Sequence, residues 1–402
     1  MKHEVVLVNP PSPFLKDQLV MPPLGIMYLS SWLKSFGIDA VIHDMAGTDK
    51  KIPEAEITAL TATTPQYLYA LDAIKSIVYK TKTVIGGAHA SSFGNCIDFD
   101  IEVHGEGELA LYNIVMNNKY DILLPRVHKG TPIDNLDTLP FPDRYWDGFK
   151  KYHYNYDGMK FTTAMTSRGC PYNCAFCFSM LGKKIRNMSV DRVIAEAVQI
   201  QNMGFDGIMY YDDTFTINRE RTANIAERLN NIGIKFRCFT RANTVDEKLL
   251  QILKKNGCVE LGMGVESGSQ KILNTVSKGV KVSDCENAIQ MCRSAGIKLK
   301  IFLMIGLPGE TEETIEATKQ FILWNQPDDY DISIYTPFPQ TKLWDLHKIG
   351  ATDIEYKEPI NYNHMFYKSV EGRYKSNVCT KELSFEDIEH ARHELEELKK
   401  EY

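Results

Sequence analysis

Cys170-Pro171-Tyr172-Asn173-Cys174-Ala175-Phe176-Cys177 brings three thiols within eight positions, and no other stretch of the 402-residue chain limits its chemistry as strongly. Thiolates are soft donors suited to iron-sulfur clusters or zinc, and an iron-sulfur cube normally takes four of them. A cube held by three cysteines keeps one iron open to a small molecule that binds through oxygen and nitrogen. A structural zinc site wants a fourth protein ligand, and no histidine or cysteine lies close downstream of Cys177. The loop therefore predicts an iron-sulfur centre.

Nine cysteines are an odd count. The other six, Cys96, Cys238, Cys258, Cys285, Cys292 and Cys379, form no second close-spaced set and read as small buried hydrophobes in a reducing compartment. No apolar run approaches the roughly 20 residues of a membrane-spanning helix, and Met1-Lys2-His3-Glu4 turns straight into the strand-like Val5–Val8. The expected location is cytoplasmic. A net charge of -6 gives no whole-chain attraction to nucleic acid, so the expected partner is a small molecule or peptide. Length suggests two or three domains.

Residues 1–135 alternate short apolar runs with helix-like stretches. Strands are predicted at Val5–Val8, Ala40–Ile42, Ile57–Leu60, Thr83–Ile85 and Phe99–Val103, with helices at Leu24–Phe36 and Gln66–Tyr79. This is the pattern of a doubly wound, Rossmann-like parallel sheet, which binds ligands at the carboxyl ends of its strands. The loops there are Asn9-Pro10-Pro11, Thr61-Ala62-Thr63-Thr64-Pro65, Gly86-Gly87-Ala88-His89 and His104-Gly105-Glu106-Gly107-Glu108. Each alone reads as ordinary turn chemistry; four in register point to a ligand edge. Residues 136–160 read as a proline- and aspartate-rich linker, and the aromatic run Tyr145, Trp146, Phe149, Tyr152, Tyr154 and Tyr156 as packing between domains.

Residues 161–345 resume the rhythm with longer units. Predicted strands are Phe161–Met165, Gly207–Tyr211, Lys235–Phe239, Val259–Gly264, Lys298–Met304 and Asp331–Tyr335, which suit a partial (β/α)6 TIM-like barrel. Chemistry in such a barrel gathers at the carboxyl ends of the strands. The cysteine loop, Asp212-Asp213, Arg241, Glu266-Ser267, Gly306-Leu307-Pro308-Gly309-Glu310 and Pro337-Phe338-Pro339-Gln340-Thr341 all fall there. An arginine can pair with a carboxylate ligand while carboxylates hold ribose hydroxyls or an amine, which describes an amino-acid-bearing nucleoside. Taken singly, Arg241 also reads as a helix-capping or surface ion-pair residue, Glu266 as half of a structural pair, and Asp212-Asp213 as a helix cap.

The first segment resembles the cobalamin-binding domain that precedes a radical S-adenosylmethionine core. The matching pieces are the double proline, Pro22-Pro23-Leu24-Gly25, the Thr-Pro-Gln-Tyr turn, the Gly-Gly-x-His loop and the Gly-Glu-Gly-Glu loop. The second resembles the radical S-adenosylmethionine superfamily itself, through Cys-x-x-x-Cys-x-x-Cys with an aromatic before the last cysteine, Gly-Val-Glu-Ser and Gly-Leu-Pro-Gly-Glu. The resemblance implies a 4Fe-4S cluster on Cys170, Cys174 and Cys177, with S-adenosylmethionine contacted by Phe176, Asp212, Asp213, Arg241, Glu266 and Ser267. It also implies cobalamin against Thr63, Thr64, Gly86, Gly87, His89, Gly105 and Glu106, and an external one-electron donor such as flavodoxin or ferredoxin. The Asp-x-His-x-x-Gly motif of many cobalamin proteins is not matched at His43-Asp44-Met45-Ala46-Gly47, so His43 is expected to be a solvated turn residue and cobalamin to bind without a histidine ligand.

Residues 346–402 read as a C-terminal extension that ends in a charged helix capped by Ser384, with Glu396 and Lys400 pairing on its exposed face. Tyr356, Tyr362, Phe366, Tyr367 and Tyr374 are spread ahead of it. This helix reads as docked over the barrel, with a substrate lid as the alternative. Three functions stay open. The first is a cobalamin-dependent radical methyltransferase acting on an unactivated carbon. The second is a radical cyclase, rearrangement or dehydration enzyme with a bound or vestigial cobalamin domain, and the third a non-catalytic iron-sulfur carrier or sensor. Methylthiolation is disfavoured, because such enzymes carry three cysteines in the N-terminal domain and this chain has Cys96 alone there.

Overall fold

The computed structural model describes residues 2–13, 15–46, 51–357 and 374–401. The chain divides into two compact units, Met1–Gly158 with Met180–Gly182 and Arg186–Met188, and Met159–Ser179 with Lys183–Ile185 and Ser189–Tyr402. Residues 136–158, read above as linker, fall in the first. Gly47, Tyr362, Phe366 and Tyr367 lie outside the described residues, as does the side chain of Lys400.

In the first unit, β1 (His3–Asn9), α1 (Leu24–Ser35), β2 (Ala40–Asp44), β3 (Ala55–Thr61), α2 (Tyr67–Lys75), β4 (Lys82–Gly86), α3 (Ala88–Phe93), β5 (Ile101–His104), α4 (Glu108–Lys119) and β6 (Val127–Lys129) follow in order. The sheet is parallel throughout, ordered β2-β1-β3-β4-β5-β6. Val5 and Leu7 pack with Ile26, Leu33, Leu111 and Ile114 on one face, while Val6 and Val8 pack with Leu60, Ala70, Ala73 and Ile85 on the other. Burial on both faces is why β1 reads as an unbroken apolar run. Each such side chain contributes about 1.5–3 kcal/mol.

Two expectations are corrected here. Parallel pairing of Val8 with His43 and Asn9 with Asp44 carries β2 two residues beyond the predicted end. His43 is therefore a buried strand residue, not a solvated turn. Likewise Gly86–His89 is a sharp strand-to-helix junction, with His89 already inside α3.

The second unit contains β7 (Met159–Ala164), α5 (Val190–Asn202), β8 (Gly207–Tyr210), α6 (Arg219–Asn231), β9 (Lys235–Thr240), α7 (Glu247–Lys255), β10 (Cys258–Glu266), α8 (Gln270–Thr275), α9 (Val282–Ala295), β11 (Lys298–Ile305), α10 (Glu312–Asn325), β12 (Asp329–Ile334), α11 (Lys342–Lys348) and α12 (Phe385–Glu397). Its six long strands pair in parallel and in chain order from β7 to β12, the arrangement of a partial (β/α)6 barrel. Among the described residues no helix is long and apolar enough to cross a membrane.

Ser384 caps α12 as expected, accepting from the Asp387 amide at 3.2 Å. The helix docks on β12: Tyr330 Oη donates to Leu395 O at 2.7 Å and Arg392 Nε to Ile332 O at 3.2 Å. Glu396 is engaged by Arg392 at 2.7 Å, one turn back along the helix. Five of the six scattered cysteines are buried; Cys379 is half-exposed.

Candidate functional site

The cysteine loop leaves β7 through Thr166, Ser167, Arg168 and Gly169, and its start is fixed from the next strand. Asp212, 1% exposed after β8, accepts from Thr166 N at 2.6 Å, Thr166 Oγ1 at 2.5 Å and Ser167 Oγ at 2.6 Å. Arg221 on α6 donates to Thr166 Oγ1 and Thr166 O, at 3.0 and 2.9 Å. Burial raises the Asp212 pKa against these bonds. Asp212 thus anchors the root of the loop, and both its oxygens are occupied. Asp213 is exposed beside it, raised by desolvation and by the Asp212 charge.

Further along, Ala175 is clamped on both backbone polar groups: its amide donates to Val276 O at 2.8 Å and its carbonyl accepts from Leu343 N at 2.9 Å. Phe176 is half-buried next to it. Cys170 and Cys174 are half-buried and Cys177 is exposed, all as free thiols. Although Cys177 reaches solvent, the atoms crowding it and the neighbouring Cys174 push its thiol up to about 11. Bound iron would draw that proton off. Among the described residues no three His, Cys, Asp or Glu side chains converge on one metal ion. Three thiols within eight residues, with no histidine or cysteine close downstream, match the donor chemistry of a cluster that keeps one iron open.

Arg241 follows β9 and is 5% exposed. Its Nη1 donates to Cys174 Sγ at 3.6 Å, and its guanidinium carbon lies 4.0 Å from the centre of the Tyr172 ring. Nε and Nη2 are buried without a partner. Two unsatisfied donors on a buried cation fit a carboxylate brought by a ligand. Three hydroxyls hold the backbone here. Thr216 Oγ1 lies 2.6 Å from both Thr240 Oγ1 and Thr244 Oγ1, and Thr244 Oγ1 donates to Arg241 O at 2.8 Å. The surface-ion-pair reading of Arg241 does not describe it.

Glu266 ends β10 at φ 71°, a left-handed conformation that costs a non-glycine residue on the order of 1–3 kcal/mol. It accepts from Lys278 Nζ at 2.5 Å, and both side chains are buried. A Cβ on Gly264 would lie 2.6 Å from Glu266 Oε1 and 2.9 Å from Lys278 Nζ, so glycine there makes room for the pair. Ser267 points into packing instead, 3.2 Å from Thr318 Oγ1 and accepting from Ser269 N at 3.1 Å. Glu310 turns back onto the Gly306 and Leu307 amides; burial pushes its carboxyl up to about 7.

The carboxyl edge of the first unit is built differently. Thr63 Oγ1 donates to Gln66 Oε1 at 2.8 Å, and Gln66 Nε2 donates to Pro10 O at 2.8 Å. Thr64 Oγ1 is 3.4 Å from His89 Nδ1. His89 is stacked between Tyr67 and Phe93, at 3.9 and 4.8 Å between ring centres, and burial lowers its pKa to about 4. Gly86, Gly87 and Gly105 are half-exposed, and the Gly105 amide donates to Ser91 Oγ at 2.9 Å.

Glu106 is buried against Arg186 and accepts from Ile133 N at 3.3 Å. It is a structural anchor, because a buried carboxylate needs such partners. Half-exposed glycines and hydroxyls fit a flat ligand held by backbone. With His43 and His89 both buried, the residues fit no histidine-ligated cobalt at those positions. A cavity of about 460 Å³ lies along β2 between His43, Asp44, Trp146 and Lys151. The Tyr152 hydroxyl donates to Asp44 at 2.6 Å in the same region, so part of the expected interdomain aromatic run packs within this unit.

Sequence reading missed Tyr172, Lys278, Arg221 and the three threonines. Tyr172 lay inside the motif, at a position the motif leaves free. Lys278 stands in an unremarked Ser-Lys-Gly turn, and the threonines converge from two separate segments, Thr216 after β8 and Thr240 with Thr244 at the end of β9.

A family model described as the radical SAM superfamily matches residues 165–322. Over 381 residues the chain is 32% identical to "Uncharacterized methyltransferase PH0819" of Pyrococcus horikoshii, covering 85% of this chain and 82% of that one. It is 29% identical to the anaerobic magnesium-protoporphyrin IX monomethyl ester cyclase of Cereibacter sphaeroides, over 80% of this chain but 60% of that protein's length. Among solved structures, the radical S-adenosylmethionine methyltransferase TsrM from Kitasatospora setae, with cobalamin and a 4Fe-4S cluster bound, superposes with a TM-score of 0.76 at 15% identity. That match covers 99% of this chain and 89% of that one, and it speaks for the fold. The three-cysteine loop at the mouth of a parallel partial barrel, the matching family model and a full-span relative together make this chain a member of the radical SAM superfamily.

Proposed function

We propose that the protein is a cobalamin-dependent radical S-adenosylmethionine methyltransferase acting on an unactivated carbon of a small molecule or peptide, supplied with electrons by a flavodoxin- or ferredoxin-like donor. The observation that carries this reading is Arg241: a buried cation against Cys174 Sγ with two donors left unpaired beside a loop of three free thiols. When bound, the cluster and S-adenosylmethionine supply a radical able to abstract hydrogen from carbon, and cobalamin supplies a transferable methyl group.

The chain's own residues do the rest. Cys170, Cys174 and Cys177 would hold the cluster, which would supply an open iron for the methionyl amine and carboxylate. Arg241 would meet that carboxylate with its unpaired edge, and Phe176 would lie against the adenine. Glu266, fixed by Lys278, offers its remaining oxygen to a ligand hydroxyl or amine, and exposed Asp213 stands at the carboxyl end of β8. Asp212 and Arg221 keep the loop root in place. In the first unit, Thr63, Gly86, Gly87 and Gly105 form the edge for a flat corrin. Nine free cysteines support a reducing, cytoplasmic setting.

A radical cyclase is the second reading, favoured by the 29% identity to the cyclase named above. Anaerobically purified and reconstituted protein separates the two. Methylation predicts cobalamin absorption beside the iron-sulfur bands, and a labelled methyl group carried from S-adenosylmethionine to product carbon. Protein that takes up no cobalamin overturns the methylation reading. Formation of 5'-deoxyadenosine without label transfer favours the cyclase, and a redox-active cluster that cleaves nothing leaves only a carrier.

A further inference from the structure

We propose that Arg241 sets the reduction potential of the cluster through its hydrogen bond to Cys174, that Tyr172 is the positioning residue which holds it there, and that the same guanidinium reports ligand binding to the cluster. This rests on the reading of Cys170, Cys174 and Cys177 as cluster ligands.

The geometry places one edge of a planar cation on a ligand sulfur, 3.6 Å from Nη1 to Cys174 Sγ. Arginine stays charged at any accessible pH. Hydrogen bonds to cluster sulfurs and nearby positive charge stabilise the reduced, more negative state, and so raise the potential. The guanidinium is not free to swing away. The Tyr172 ring covers its face at 4.0 Å, and that ring belongs to the cluster loop itself, between Cys170 and Cys174. Arg241 itself opens a one-turn helix, Ala242–Thr244. The backbone of that turn is pinned by Thr216, Thr240 and Thr244.

A surface role would leave the other donors in water, yet Nε and Nη2 are buried and unpartnered. A ligand carboxylate arriving on that edge draws density through the same delocalised plane that donates to Cys174. Binding at the open iron and the N–H···S bond are thereby coupled through a single side chain.

The test is an EPR-monitored redox titration of reconstituted protein, with and without S-adenosylmethionine, alongside iron and sulfide counts. Arg241→Gln is expected to keep its iron, move the midpoint to more negative potential and lose the ligand-induced shift of the wild type. Arg241→Lys, a point charge without the fork, should fall between the two. Tyr172→Phe keeps the aromatic face and should match wild type, whereas Tyr172→Ala should shift in the direction of Arg241→Gln by a smaller amount. Wild-type midpoints in Arg241→Gln at full iron content overturn the proposal. Should Arg241→Gln hold no cluster, wild-type midpoints in both Arg241→Lys and Tyr172→Ala overturn it equally. A wild-type protein that binds no iron removes the cluster reading itself, and the proposal with it.

Discussion

The helices of the two units begin in different ways. In the first, α1 to α4 start on Pro23, Gln66, Gly87 and Gly107, none of which bonds a first-turn amide with its side chain. In the second, Ser189, Asn218, Asp246, Thr311, Thr341 and Ser384 each accept one, with α8 and α9 the exceptions. A side-chain cap contributes about 1 kcal/mol. The first unit goes without it and keeps its carboxyl edge made of backbone, glycine and hydroxyl. The second closes its helix ends locally and concentrates buried charge and soft donors at the mouth. One edge is shaped by what is left out, the other by side chains that must be paired.

If that contrast holds, substitutions in the second unit should act through lost partners. Cys174→Ala is expected to have the largest effect: loss of the cluster's iron and sulfide, with cleavage of S-adenosylmethionine abolished. A variant that keeps both would show that Cys174 is not a ligand. Next, Lys278→Met strands the Glu266 carboxylate and should cost about 3–5 kcal/mol in urea unfolding, most of it regained in the double variant with Glu266→Gln. Equal stability of Lys278→Met and wild type would mean the pair is solvated.

The first unit should fail through shape. Gly87 adopts φ 91°, and a Cβ there would lie 2.7 Å from Thr61 Oγ1 and 2.9 Å from Ala62 O. Gly87→Ala should therefore destabilise by about 3 kcal/mol, strain and overlap combined; a loss under half that would show that the edge yields. The smallest effect concerns pH. His89 is neutral in the fold, its pKa lowered to about 4 by burial, with Glu102 pulling the other way. The unfolded chain binds the proton first, so stability falls as pH drops below about 6.5. It should lose about 2 kcal/mol by pH 5. His89→Phe keeps an aromatic stack without the titration and should flatten that slope relative to wild type; parallel slopes would remove His89 as the cause.

Much of the fold was legible because its signals are local. Val5 to Val8 and Lys298 to Met304 are apolar or alternating runs that the structure only lengthens, to His3–Asn9 and Lys298–Ile305. His43 was misplaced because strand pairing with β1, a long-range event, carries β2 past the end that its own apolar residues mark. Asp212 stood at the expected strand end, but only the fold shows that Thr166 and Ser167 occupy its oxygens. Glu106 looked like a loop carboxylate until Arg186, eighty positions away, appeared beside it.

By itself, the sequence determined the three-thiol donor set and the β/α rhythm, since both depend on neighbours along the chain. A backbone brings Cys170, Cys174 and Cys177 together whatever the rest does. Only the tertiary structure decided which charges meet: Arg241 over Tyr172 and against Cys174, Lys278 on Glu266, three threonines around one turn. Such pairs join separate segments, and their energy depends on distances and burial that exist only once the sheet has closed around them.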